Sequence, residues 1–126
     1  MTTKYLHSDL TNKIISCFYT VYNTLGYGFL EKVYENSLCI LLREAGLKVN
    51  AQLPIDVYFR NNLVGEYYAD IIVEDKVIIE LKAVESLKDI HGNQLVNYLK
   101  ATEIEIGLLL NFGVKPEVKR KIFTNR

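Results

Sequence analysis

The chain has 126 residues, of which 49% are hydrophobic, and its 15 basic and 15 acidic residues cancel to a formal net charge of zero. A chain of this size and apolar content is expected to form a single domain over residues 1–126. Zero net charge argues against DNA binding by bulk electrostatics, although it leaves a local basic groove open. No segment is apolar enough to cross a bilayer and the N-terminus does not resemble a signal peptide, so a cytoplasmic location is expected.

Two helices are predicted in the first third of the chain. Ser8 or Asp9 can cap the first, and Gly26 and Gly28 favour a turn after it. The second runs from about residue 30 to 45, before Gly46. Its predicted buried side consists of Leu30, Val33, Leu38, Leu41 and Leu42. Both cysteines, Cys17 and Cys39, fall at apolar helical positions, which favours reduced core thiols over a disulfide or a metal site.

The middle of the chain changes to strand periodicity. Strands are predicted over residues 52–59, 64–74, 77–84 and 105–112, and a third helix over residues 88–102. Pro54 suits an edge strand or a strand start, and the last strand is apolar on both sides, which is typical of a central strand. The predicted order is α-α-β-β-β-α-β, with the last strand parallel to the third through a right-handed crossover. The basic C-terminal run is interpreted as solvated surface.

An acid and a base interrupt the apolar third strand. Glu80 and Lys82 lie two residues apart, so they share one face of the strand. A three-residue loop over residues 74–76 would place Asp70 of the preceding strand opposite Glu80. A two-residue loop would place Asp70 opposite Leu81 instead, and the charges would not converge.

Two chemistries fit this D-x9-E-x-K pattern. Two adjacent carboxylates repel unless a cation lies between them, and oxygen ligands favour Mg²⁺ or Mn²⁺. A lysine two residues beyond a ligand can steady an attacking water or a developing phosphate charge, as metal-assisted phosphodiester hydrolysis requires. The alternative is an ion pair on a solvated face, worth roughly 0–1 kcal/mol. Spacing alone favours this alternative.

Longer motifs carry a family resemblance. The stretch "GFLEKVY", with Gly28, Glu31 and Tyr34, matches a G-x-x-E-x-x-Y signature, and "ADIIVEDKVIIELKAVE" and "HGNQLVNYLKATEIEIGLLLNFG" follow in order. Over about residues 25–114 the chain resembles the GxxExxY protein family, which is similar to the PD-(D/E)XK nuclease superfamily. The resemblance implies an α/β fold with a restriction-endonuclease-like core, a small mixed β-sheet flanked by helices. It also implies a nucleic-acid substrate, with DNA favoured over RNA.

The resemblance also implies roles for individual residues around the pattern. Asp70 and Glu80 would be the metal-binding acids, Lys82 the catalytic lysine, and the carbonyl of Leu81 a further ligand. Glu31 would match the upstream helical glutamate that completes the metal site. The local alternative for Glu31 is a favourable interaction with the helix dipole in the first turn.

The third helix adds a polar stripe at helical spacing, formed by His91, Gln94 and Tyr98. It resembles a Q-x-x-x-Y element in which Gln94 assists catalysis and Tyr98 and His91 contact the substrate. The alternative is a polar helix edge with Tyr98 in the core and His91 as a hydrogen-bonding partner. Tyr34 is expected in the core, given its spacing from neighbouring leucines.

The two departures from the family pattern are Tyr68, where a basic residue is expected beside the aspartate, and Gly92 inside a helix. Neither removes a ligand. The leading hypothesis is therefore a Mg²⁺- or Mn²⁺-dependent nuclease. The alternative is a non-catalytic nucleic-acid-binding or protein-interaction module that retains the fold. At this size a homodimer or a protein partner is the expected aid to gripping a duplex.

Overall fold

A computed structural model describes residues 6–124, which form three helices and five strands. In chain order the elements are α1 (Ser8–Leu25), α2 (Glu31–Glu44), β1 (Val49–Phe59), β2 (Asn62–Val73), β3 (Val77–Lys82), α3 (Asp89–Lys100), β4 (Ile106–Phe112) and β5 (Pro116–Ile122). The strands form one sheet in the order β1-β2-β3-β4-β5. The pair β3–β4 is parallel, as predicted, and the other pairs are antiparallel. No helix in residues 6–124 has the length and apolarity to cross a membrane.

Helices cover the sheet on both faces. On β3, Val77, Ile79 and Leu81 pack in one core cluster with α1 and α2. The intervening Ile78 packs in a second cluster with Leu95 and other residues of α3. Alternate residues of a strand point to opposite faces, so these two clusters lie on opposite sides of the sheet. Every residue of β4 is buried, which confirms that it is a central strand.

The loop between β2 and β3 sets the register of the sheet. It spans the three residues 74–76, and both Glu74 and Asp75 adopt left-handed φ angles. The pairs Ile71–Ile79, Ile72–Ile78 and Val73–Val77 follow, so Asp70 continues the register opposite Glu80. Of the two loop lengths that the sequence left open, the structure has the three-residue loop, which is the one that places the two acids opposite each other.

Tyr34 links the turn before α2 to the core. Its side chain is fully buried, and its hydroxyl donates to the Gly26 carbonyl at 2.6 Å and accepts from the Phe29 N–H at 3.2 Å. The ring stacks on Phe112 of β4 with a centroid distance of 4.2 Å. The core position predicted for Tyr34 is confirmed. The same side chain also satisfies two backbone groups of a turn that lacks regular pairing.

Three sequence predictions about the fold are wrong. Residues 116–122 form the edge strand β5, where solvated surface was expected, because Val118 and Ile122 pack onto the first core cluster. At the start of α2, Leu30 is 80% exposed and Val33 is 38% exposed, although both were expected on the buried side. The thiols agree with expectation: Cys17 and Cys39 are both free cysteines.

Gly92 lies near the start of α3 beneath a lysine of β5. A Cβ at this position would approach the Lys121 Cε to 2.8 Å. Because the end of a lysine side chain moves readily, we expect Gly92→Ala to stabilise the fold by up to about 1 kcal/mol through the higher helix propensity of alanine. Thermal unfolding followed by circular dichroism measures the shift. A lower melting temperature that Lys121→Ala restores would show instead that the lysine is held rigidly.

Candidate functional site

The strands β2 and β3 part where the two acids face each other. Backbone pairing runs as far as Ile71–Ile79, and beyond it side chains take over. The Asp70 N–H donates to Glu80 Oε1 at 3.2 Å, and the Leu81 N–H donates to Asp70 Oδ2 at 2.8 Å. We call the group Asp70, Glu80 and Leu81 the fork. Each carboxylate is therefore held by the backbone of the other strand.

Burial dominates the electrostatics of the fork. Glu80 is only 7% exposed, and desolvation raises the pKa of its carboxyl to about 9, with the negative charge of Asp70 adding to the rise. The hydrogen bond from the Asp70 N–H lowers this pKa, and the positive charge of Lys82 lowers it more weakly. Within residues 6–124 the ion pairs are Lys32–Glu35 and Lys48–Asp75. A solvated Glu80–Lys82 ion pair is thus the wrong interpretation of this pattern.

Lys82 ends β3 on the face that carries Glu80, and it is half-buried. It lies opposite Asn111 of β4, which is fully buried. The Asn111 amide accepts from the Val84 N–H at 3.0 Å and donates to the Val84 carbonyl at 2.9 Å. It also donates to Glu117 Oε1 at 2.8 Å. The segment that follows Lys82 is therefore clamped to β4 by one side chain.

Asn111 is a residue that the sequence interpretation missed. Its signal was a single amide inside the otherwise apolar strand "IGLLLNF". A buried amide needs hydrogen-bond partners, so it indicates a neighbouring backbone segment that has left regular pairing.

The helix α3 brings Gln94 and Tyr98 beside the fork. Tyr98 is 6% exposed, and the Gln94 Nε2 donates to its hydroxyl at 2.7 Å. Burial raises the pKa of Tyr98, the hydrogen bond from Gln94 lowers it, and the charges of Glu80 and Asp70 raise it further. Tyr98 is packed in the core, as the alternative of a polar helix edge expected, and the catalytic Q-x-x-x-Y role of Gln94 and Tyr98 stays a prediction.

A groove of about 770 Å³ opens between α3 and the β1–β2 hairpin. Its lining includes the tyrosines and amides Tyr58, Tyr67, Tyr98, Asn93, Gln94 and Asn97. The rings of Tyr67 and Tyr98 are in contact, with a centroid distance of 5.6 Å and an interplanar angle of 47°. Asp56 and Lys100 also line the groove, so its formal charges balance. Its walls offer aromatic faces and amide groups that can form hydrogen bonds.

Two of the predicted site residues lie apart from these contacts. His91 accepts a hydrogen bond at its Nδ1 from the Lys88 N–H at 3.0 Å, which satisfies a free backbone donor at the start of α3. Glu31 is exposed in the first turn of α2. Among residues 6–124 no group of three or more His, Cys, Asp or Glu side chains is arranged to hold a metal ion. Glu31 is thus not gathered with Asp70 and Glu80 into one cage.

A different glutamate of α2 is connected to the fork through Gln52. Glu35 is 4% exposed, one helical turn after Glu31, and it pairs with Lys32 at 2.6 Å. The Gln52 Nε2 donates to Glu35 Oε1 at 2.7 Å and lies 3.4 Å from Asp70 Oδ1. The sequence signal was available: Glu35 lies on the buried stripe that Leu38 and Leu42 continue.

The donor set of the fork fits a hard divalent cation. Asp70 and Glu80 supply carboxylate oxygens, the ligands that Mg²⁺ and Mn²⁺ prefer. Mg²⁺ commonly binds through one or two carboxylates and keeps several waters, so a fork with two acids is sufficient. In a strand the N–H and C=O of one residue point to the same neighbour, so the Leu81 carbonyl also faces the Asp70 side.

Comparisons with known proteins bear on the fold and the family of the chain. No curated protein matches the chain significantly. Among solved structures, "Crystal structure of SSO0001" matches with a TM-score of 0.55 and 19% sequence identity. That alignment covers 98% of this chain, which spans 62% of the length of the other, and it supports the restriction-endonuclease-like fold. A family model described as "PD-(D/E)XK nuclease superfamily" matches residues 8–121. The chain therefore belongs to the PD-(D/E)XK nuclease superfamily.

Proposed function

We propose that the chain is a Mg²⁺- or Mn²⁺-dependent nuclease that hydrolyses phosphodiester bonds, with DNA favoured over RNA. The observation that carries the proposal is the fork, where two carboxylates and the Leu81 backbone meet beside Lys82. Burying two acids together is unfavourable without a cation, so the arrangement suits a site that is completed by a metal. We further propose that the chain is of the GxxExxY type, on the signature residues Gly28, Glu31 and Tyr34.

The residues of the fork have separate proposed tasks. Asp70, Glu80 and the Leu81 carbonyl hold the metal, which would supply Lewis-acid activation of water and charge neutralisation at phosphate. Lys82 would donate a hydrogen bond to the phosphate oxygen on which negative charge develops, and it would orient the attacking water. Glu31 stays the predicted helical ligand, although Glu35 lies nearer to Asp70 through Gln52.

The groove beside α3 is the proposed path of the substrate strand. Gln94 would orient bound water or the strand, and Tyr98 and His91 stay the predicted substrate contacts. Aromatic faces and amides suit nucleobases better than phosphates, and the balanced charges of the groove agree with this. The phosphate to be cut would then lie at the fork.

Mn²⁺ binding measured by calorimetry tests the site. We expect Asp70→Ala and Glu80→Ala to weaken Mn²⁺ binding at least about tenfold, since each removes a charged ligand. The matched control is Asp75→Ala, which removes an exposed acid of the β2–β3 loop. Circular dichroism checks that each variant is folded.

Wild-type protein that binds no Mn²⁺, alone or with a short duplex, would contradict the nuclease proposal. So would variants that bind as wild type does. Binding lost in both fork variants and kept in Asp75→Ala supports it, and screening of DNA and RNA substrates follows.

A binding module is the second candidate, and the β1–β2 hairpin favours it. Its exposed apolar side chains are Tyr58, Phe59, Leu63, Val64, Tyr67 and Tyr68. A cluster of exposed apolar residues of this kind is typical of an interaction surface, for a second copy of the chain or for another protein. Nucleic-acid binding in EDTA without cleavage in Mg²⁺ or Mn²⁺ would favour this candidate over the nuclease.

A further inference from the structure

Gln52 has an unusual backbone conformation inside a strand. Its φ is +56°, a region that residues with a Cβ seldom adopt. The other non-glycine residues with positive φ in residues 6–124 lie at a helix cap or in the two hairpin turns: His7, Arg60, Asn61, Glu74 and Asp75. Gln52 has no such local reason. Strain of this kind persists only where the surrounding structure holds it, and it concentrates at functional sites.

The left-handed residue lies directly across from the fork. The β1–β2 ladder pairs Ala51 with Ile71 and Leu53 with Ala69, so Gln52 faces Asp70 in the register. Backbone pairing is interrupted at this step, while the register is the same on its two sides; the β1–β2 ladder shifts register only further along, between Val57 and Tyr58. The interruption therefore turns the backbone without slipping the strand.

The turn in the backbone at Gln52 changes the face of the sheet on which the odd-numbered side chains of β1 lie. Val49 belongs to the core cluster under α1 and α2, whereas Ile55 and Leu53 belong to the cluster under α3. All three positions are odd-numbered and would share one face of a regular strand. The same exchange occurs opposite, between Ile71 and Ala69 of β2. The side chains of β1 and β2 thus exchange faces of the sheet at the step that carries Gln52 and Asp70.

The same turn brings the Gln52 amide between two carboxylates. Its Nε2 is 2.7 Å from Glu35 Oε1 and 3.4 Å from Asp70 Oδ1. An amide nitrogen carries two N–H groups, so one amide can serve both acids. Glu35 also accepts a hydrogen bond from Lys32 Nζ at 2.6 Å, through its other carboxylate oxygen. Asp70 Oδ1 thereby faces the amide, while Asp70 Oδ2 accepts from the Leu81 N–H.

We propose that Gln52 is a positioning residue for Asp70: its left-handed backbone aims the amide that orients the Asp70 carboxylate for a divalent cation. The inference deepens the proposed nuclease function and rests on it for the cation. Partners that orient a metal ligand commonly change metal affinity by roughly 10–100-fold when they are removed. The orientation of Asp70 itself can be measured without metal.

Amide hydrogen exchange of Leu81, followed by NMR in EDTA, reports that orientation, because the Asp70 carboxylate is the acceptor for this N–H. The variants are Gln52→Asn and Gln52→Gly. Asparagine and glycine both tolerate a left-handed φ. Asparagine is too short to reach Glu35 and Asp70 as glutamine does, and glycine has no side chain. The matched control is Arg60→Gly, which relieves the same backbone strain at the hairpin turn, away from the fork.

We expect Leu81 exchange to accelerate by about tenfold in both Gln52 variants and to stay at the wild-type rate in Arg60→Gly. Mn²⁺ affinity should fall by roughly 10–100-fold in the Gln52 variants alone. Unchanged Leu81 exchange in both variants, or equal acceleration in Arg60→Gly, would overturn the inference. If the wild type binds no Mn²⁺, the nuclease proposal fails, and the Leu81 result then decides separately whether Gln52 orients Asp70.

Discussion

Substitution of Lys82 by methionine is expected to slow phosphodiester cleavage by roughly 10²–10³-fold, the usual effect of losing one donor to a developing oxyanion. Methionine keeps most of the side-chain length and removes the charge. Lys82 lies on the Glu80 face at the end of β3 and forms no ion pair with Glu80, so its charge is available to a substrate. Single-turnover cleavage in Mn²⁺ measures the chemical step.

The affinity for Mn²⁺ separates this role from metal binding. We expect Lys82→Met to bind Mn²⁺ at least as tightly as wild type, because a nearby cation opposes metal binding. Lys76→Met is the matched control, since Lys76 is exposed in the β2–β3 loop. Equal cleavage rates in Lys82→Met and Lys76→Met would show that Lys82 has no role in the cleavage step.

The Glu80→Gln variant should change how the metal-free protein responds to pH. The pKa of the folded Glu80 carboxyl is raised by burial from an ordinary 4.5 to about 9. Between these values the folded state holds a proton that the unfolded state releases, so the wild-type stability falls as pH rises. The slope approaches about 1.4 kcal/mol per pH unit. Below pH 4.5 the full stability is present, and above about pH 9 the loss is complete.

Glutamine imitates the neutral acid, because its carbonyl can accept from the Asp70 N–H and its amide can donate to the Asp70 carboxylate. Glu80→Gln should therefore exceed wild type in stability by a few kcal/mol near pH 8 in EDTA, with a weaker pH dependence. Urea unfolding from pH 5 to 9 measures this, and Glu66→Gln, at an exposed acid of β2, is the control. A wild-type stability that is flat across this range would contradict the buried, protonated Glu80.

The register of the fork was predictable because side-chain period and loop length constrain each other. Alternation in the β3 sequence put Glu80 and Lys82 on one face, and a three-residue loop then required Asp70 opposite Glu80. Tyr34 and the central strand β4 were predictable from apolar spacing alone. In each of these cases a short segment contained all of the information that was needed.

The features that were missed depend on contacts between distant segments. From the sequence, Gln52 is only a polar residue at the start of a predicted strand. Its role depends on its partners Glu35 and Asp70, which lie on other elements. Glu31 was predicted from its motif position and stays a prediction, whereas the buried glutamate one turn later, Glu35, was not considered. The strand β5 was hidden because its lysines and arginine outweigh Val118 and Ile122 in composition, although those two residues alternate correctly.

The two edges of the sheet have a consequence for assembly. An open edge strand invites another chain to add to it, and charged residues, proline and backbone irregularities oppose this. The edge β1 carries Pro54 and the left-handed Gln52, and the edge β5 begins at Pro116 and carries the basic run Lys119, Arg120 and Lys121. Both edges thus resist edge-to-edge aggregation. A functional dimer would have to form through side-chain faces such as the hairpin, since continuation of the sheet from one copy into the next is disfavoured.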